Sequence, residues 1–186
     1  MREITITHLF KFPVEIVYKT YFEKYADGRD PNIKSIDVLE RHIDQNGVET
    51  VKRRAVLENI VPWYLQFFIP GHCIMEEVVV RDVKERMFST HTYNVTWADT
   101  AAMVERTTYT RHADNPQWTD MKQSGTLECK KCPDFAGGTV EAIVAKFLTH
   151  GAYKGLKIMD TLVQAQADAE AAKAVQRTGR SHGESL

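Results

Sequence analysis

Apolar residues recur along this chain with two different periods. Between residues 137 and 175, at about 100° of rotation per residue, Val140, Ile143, Val144, Phe147, Leu148, Ile158, Met159 and Leu162 fall on one broad arc, with Gly151 and Gly155 inside it. That spacing predicts a long amphipathic helix with a packed face. Ahead of it the period is two. Residues 2–10, 33–43, 48–57, 73–83, 87–97, 101–111 and 118–128 read as half-buried strands, separated by short polar or turn-forming pieces. Asn46-Gly47, which favours the positive φ of a tight turn, joins the second and third as a hairpin. One short helix interrupts the strands: Pro13 opens it, and Ile16, Val17, Thr20 and Tyr21 form its face as far as about residue 25. The pattern predicts an α+β fold, in which a curved antiparallel sheet of about seven strands is gripped by a long C-terminal helix.

Four features of this layout carry chemistry. Gly151 and Gly155 each cost a helix about 1 kcal/mol against alanine, so something gains by approaching the backbone there, either a strand or a ligand. Lys154 projects at the margin of the apolar stripe, as a snorkelling lysine or as a cation facing inward. Arg53 and Arg54 are adjacent in a strand and point to opposite faces, so one of them faces the side the helix covers, where a buried arginine requires an anion. The run 61–71 is bracketed by prolines. Its Val61, Pro62, Trp63, Tyr64, Leu65, Phe67, Phe68 and Ile69 read either as an end-plug of the core or as an apolar lid able to touch lipid.

Composition narrows the classes. The chain has 186 residues, 43% hydrophobic and 26% charged, with net charge −1, so it is expected to form a single domain over 1–175, with a polar, disordered tail at 176–186. No basic field points to nucleic acid. No apolar run approaches the roughly 20 residues of a membrane span, and no cleavable leader is read at the N-terminus. Cys129 and Cys132 have the spacing of half a zinc site or of a redox pair, yet neither a second ligand pair nor a βαβ pattern accompanies them, and they are expected to be structural and unliganded. Neither a cofactor nor a metal site is expected. Glu76, Glu77 and Glu105 lie on strands and are read as a solvated sheet face, with Glu105 or the cysteine pair of a hydrolase or redox enzyme as the alternative. Apolar walls, inward cations and an aromatic flap together suit a lipid-sized cavity, with Lys and Arg for a phosphate head group.

The order of elements strengthens this. The KFP opening of the first helix, the run 36–41 (IDVLER), the VKRR strand, Val61-Pro62, Glu76-Glu77, the run 93–97 (YNVTW), the run 115–119 (NPQWT) and the run 146–155 (KFLTHGAYKG) together resemble the PRELI/slowmo (PRELI-MSF) domain over about residues 1–168. The resemblance implies a START-like fold with a lid. It also implies a non-enzymatic phospholipid shuttle of the mitochondrial intermembrane space that visits membrane surfaces and works with a small twin-cysteine helical-hairpin protein. The alternative setting is the cytoplasm, and the alternative role is a protein-interaction module without cargo. Phosphatidic acid or phosphatidylserine is the implied cargo. The family's head-group positions match Lys24, Arg53 and Lys154, with Phe147, Gly151, Gly155 and Ile158 as the cavity wall. The chain departs from the family in its turn at residues 25–31 and in carrying Leu57, Glu58 and Ile60 where some members have basic residues.

Overall fold

The computed structural model describes residues 1–25, 28–58, 72–131 and 134–181; within the last of these, the side chains at 134–137, 139–140, 143–144, 147 and 174–181 are left undescribed. Seven strands, β1 (Arg2–Phe10), β2 (Ile33–Ile43), β3 (Val48–Glu58), β4 (His72–Asp82), β5 (Met87–Asn94), β6 (Ala101–Arg111) and β7 (Thr119–Cys129), form one antiparallel sheet in the order β1-β7-β6-β5-β4-β3-β2. Consecutive strands from β2 to β7 pair as a meander, and β1 returns to the far edge beside β7. The curved sheet leaves a concave face. Helices α1 (Val14–Glu23) and α2 (Asp134–Ser181) cover it, α2 lying across β1, β7 and α1.

Local chemistry sets the turns. Gly47 adopts φ +85° at the β2–β3 hairpin, and the Asp44 carboxylate accepts hydrogen bonds from the backbone of Asn46 and Val48, both at 2.8 Å. β5 stops earlier than the apolar pattern predicts because of Asn94. Its buried amide donates to the carbonyls of Thr96 and Ala101 and its oxygen accepts from the Met103 backbone, which folds residues 95–100 into a turn with Trp97 at φ +48°. Pro13 caps α1 rather than starting it: its carbonyl accepts from Ile16 and Val17.

Helix α2 is longer than the periodic segment at both ends. It runs to Ser181, past the start of the tail expected at 176, because residues 171–177 (AAKAVQR) are largely strong helix formers. Its buried stripe is also turned from the arc read in the sequence. Leu156, Met159 and Val163 are buried, with Ala152 packed beside them, a spacing of three and four residues that leaves Ile158 on the flank. Among the described residues no helix is long and apolar enough to cross a membrane.

The core divides in two. Ile6, Phe10, Val17, Tyr18, Tyr21, Phe88, Tyr109, Met121, Met159 and Val163 pack between α1, α2 and the middle of the sheet, with the rings of Phe88 and Tyr109 stacked at 4.1 Å. Ala101, Met103, Leu127 and Ala145 form a second cluster toward the sheet end where β3 finishes and β4 begins.

Candidate functional site

Between these clusters lies a cavity of about 540 Å³, within the range of roughly 300–1,000 Å³ found for pockets that hold small organic ligands. Strand alternation and antiparallel register build its floor. Arg53 on β3 stands opposite Glu77 on β4, Glu77 opposite Thr92 on β5, Thr92 opposite Glu105 on β6, and Glu105 opposite Gly125 on β7. The result is a polar row across the concave face. One inward position further along, toward Glu58 and His72, the facing pairs are Ala55 with Met75 and Met103 with Leu127. Leu148, Ala152, Leu156 and Met159 of α2 form the roof.

Within the polar row the charges are matched internally. Arg53 is only 7% exposed; its Nε donates to Glu77 Oε2, and the guanidinium lies 4.8 Å from the Tyr21 ring and 4.9 Å from that of Phe22. The Tyr21 hydroxyl donates to Glu77 Oε1, which also accepts from Thr92 Oγ1 at 3.3 Å. Burial works to neutralise Arg53, but the oxygens of Tyr21 and Glu77 outweigh it and hold the guanidinium charged. The Tyr21 hydroxyl is pushed well above its usual range by burial and then by the neighbouring Glu77 charge. Glu105 is raised above the ordinary carboxylate value by burial, an effect that the Lys24 charge and hydrogen bonding to Gln123 and Thr107 only partly oppose.

Lys24 reaches in from the end of α1. Its Nζ lies 4.7 Å from the centre of the Tyr25 ring, within cation–π range. A Cβ at Gly155 would stand 2.8 Å from that nitrogen and 3.1 Å from the Tyr25 hydroxyl, so Gly155 admits the lysine and tyrosine rather than the cargo. A Cβ at Gly151 would meet nothing within 4 Å. Lys154 also lines the cavity; its side chain is 40% exposed and its Nζ pairs with Asp30 at 3.1 Å.

The sequence-derived site residues are thus distributed as follows. Lys24, Arg53 and Lys154 line one cavity, as does Gly151. Gly155 and Ile158 do not line it, a correction that follows from Lys24 covering Gly155 and from the rotated stripe of α2. The Phe147 side chain lies outside the described residues, and so do all the lid positions: Val61, Pro62, Trp63, Tyr64, Leu65, Phe67, Phe68 and Ile69. The solvated-face reading holds for none of the three glutamates. Glu77 and Glu105 face the cavity, whereas Glu76 is buried on the convex side beneath Lys52, Arg54 and Tyr93. Glu105 carried a sequence signal: it alternates in phase with Met103, Thr107 and Tyr109, so an acid stood among inward positions. Cys129 is disulfide-bonded, while Cys132 lies outside the described residues. Among the described residues no three His, Cys, Asp or Glu side chains are grouped to hold a metal ion.

Against known proteins, the PRELI-like family pattern matches residues 15–169. The chain belongs to the PRELI-like family. A protein slowmo homolog of Dictyostelium discoideum is 29% identical over 169 residues, 89% of this chain and 73% of the relative. Among solved structures, the Zhui aromatase/cyclase of a Streptomyces species superposes with a TM-score of 0.60 at 11% identity, over 89% of this chain and 95% of that one. A START superfamily protein of Mycobacterium smegmatis gives 0.53 at 16%, over 88% and 97%. These two likenesses establish a START-like fold for this PRELI-like chain, the curved seven-stranded sheet closed by a C-terminal helix.

Proposed function

We propose that this PRELI-like protein is a non-enzymatic carrier that binds one phospholipid in the cavity and moves it between membranes. The observation that carries this reading is the order of rows on the concave face: a charged band at mid-sheet and apolar Ala55, Met75, Met103 and Leu127 toward the end where residues 59–71 connect β3 to β4. A head group buried at the band would leave its chains along the apolar row. Lys24, Arg53 and Lys154 line the cavity there, Arg53 and Lys154 already paired with Glu77 and Asp30, and both phosphatidic acid and phosphatidylserine carry a phosphate that such cations take. The apolar, aromatic composition of the run 61–71 suits a lid that meets the bilayer interface during transient docking. The mitochondrial intermembrane space as its setting and a small twin-cysteine helical-hairpin protein as its partner are part of this proposal, supported by the family resemblance alone.

An enzymatic reading has one observation in its favour, a half-buried Glu105 of raised pKa facing the cavity, on a fold that a named aromatase/cyclase shares. Vesicle-to-vesicle transfer measured with purified full-length protein separates the two. The carrier reading expects the donor lipid to arrive in acceptor vesicles at unchanged mass, and slower transfer when Trp63 and Phe67 are exchanged for serine. Chemically altered lipid, or no transfer above the protein-free rate, overturns it.

A further inference from the structure

Helix α2 is tied down differently on its two flanks. It packs on α1, β1 and β7. Toward the other side of the sheet it meets the connection from α1 to β2, where Lys24 and Tyr25 lie against Gly155 and Asp30 pairs with Lys154. The cavity reaches solvent along this flank. Gly151, which has no side chain, both lines the cavity and is exposed, and a Cβ there would meet nothing within 4 Å. Lys154 lines the cavity from α2, and Asn32 and Ile33 line it from the connection, so the mouth lies between these two elements.

An ion pair spans that mouth, Lys154 Nζ standing 3.1 Å from Asp30 Oδ1. Its acidic half is built into the backbone. The Asp30 side chain is only 14% exposed, its Oδ1 also accepts from the Asn32 amide at 3.0 Å, and its carbonyl accepts from the Ile33 amide at 3.0 Å. The Asn32 carbonyl in turn accepts from the Glu58 amide at 2.8 Å, which fastens the turn to the end of β3. Just ahead, Gly28 reverses the chain at φ +66°, and Arg29 Nη1 donates to the Glu23 carbonyl at 2.8 Å. The basic half is a flexible four-carbon stem, 40% exposed, whose ammonium can swing into water with no movement of α2. One partner is fixed and the other is free to turn.

We propose that Asp30 is a latch residue: by holding the Lys154 side chain across the mouth it slows the passage of cargo into and out of the cavity, and exchange proceeds when the pair opens. This rests on the carrier reading and adds a kinetic gate to it. A partly exposed ion pair is worth a factor of about two to five, so the latch sets the rate of exchange without sealing the cavity.

The test is a release rate. The full-length protein is loaded with pyrene-labelled phosphatidylserine or phosphatidic acid and mixed in a stopped-flow cell with an excess of phosphatidylcholine vesicles, which carry no net charge. Asp30→Asn keeps an acceptor oxygen for the Asn32 amide and removes the charge, and it is expected to release lipid about two to five times faster than the wild type. Raising the salt concentration, which screens an exposed pair, is expected to speed the wild type toward the variant and to leave the variant unchanged. An unchanged rate in a folded Asp30→Asn protein, or the same salt response in both proteins, would overturn the latch. Should the variant fail to fold, the wild-type salt series decides alone, and a release rate independent of salt overturns the assignment. A wild type that takes up neither labelled lipid would instead overturn the carrier reading, and the latch with it.

Discussion

Gly155 shows how a single absent side chain can shape the site. It sits at a buried position of α2, and the space its Cβ would occupy is taken by Lys24 Nζ at 2.8 Å and Cε at 2.9 Å. Both are the far end of a flexible chain, so an added methyl group would displace the lysine rather than the backbone. Gly155→Ala is therefore expected to change stability by less than about 1 kcal/mol, the gain in helix propensity offsetting the disturbed contact, while lowering lipid loading because Lys24 leaves its place. Thermal denaturation alongside a lipid-loading measurement checks this; full loading in a well-folded variant would mean that the position of Lys24 is immaterial. The sequence marked Gly155 as a point of close approach but not what approaches. The partner comes from α1, more than a hundred residues earlier, and no periodicity within one helix reports on that. That one of Arg53 and Arg54 faces inward was legible from their adjacency in a strand, and the family resemblance picked out Arg53. Its anion was not, since Glu77 meets it only through the β3–β4 register.

At the scale of elements, most strands were legible because one face is more buried than the other, whereas β2, exposed along most of its length, was legible through its hairpin with β3. The hairpin at Gly47 was legible because positive φ has a sequence signature. The end of β5 was not: Asn94 acts through side-chain hydrogen bonds to carbonyls two and seven residues away, while the apolar pattern continues to Trp97. The rotation of the α2 stripe was missed for a related reason, since a helix lying over a cavity keeps apolar residues that contact no core. The convex side of the sheet carries its own electrostatic contribution. Glu76 accepts from Arg54 Nη2 at 2.6 Å and from the Tyr93 hydroxyl at 2.9 Å and pairs with Lys52 at 3.2 Å, and these partners hold its pKa down at about 2 against an ordinary 4.5. A depressed carboxylate stabilises the fold above its unfolded pKa and loses that contribution as pH falls toward the folded value. Stability of this three-strand surface is thus expected to decline between about pH 4.5 and pH 2. Glu76→Gln should flatten that decline and lower stability at neutral pH. Denaturant titrations across this range provide the check, and an unchanged slope in the variant would mean that the cluster is screened by water to no net effect.

For the whole molecule, the sheet, the gripping helix and the membership of the PRELI-like family follow from patterns spread over most of the chain. The hollow does not. A sequence records which residues are apolar but not whether they touch, and here residues of both apolar clusters line a cavity of about 540 Å³. Apolar lining without packing contacts is costly, so the apolar end of this cavity, beside the charged band on its floor, argues for an occupant. Native mass spectrometry of the purified full-length protein tests this most directly. The account predicts a mass increment of one phospholipid per chain, present on purification or acquired on exposure to vesicles. A protein that stays at its bare mass after incubation with mixed phospholipid vesicles, while correctly folded, would contradict it.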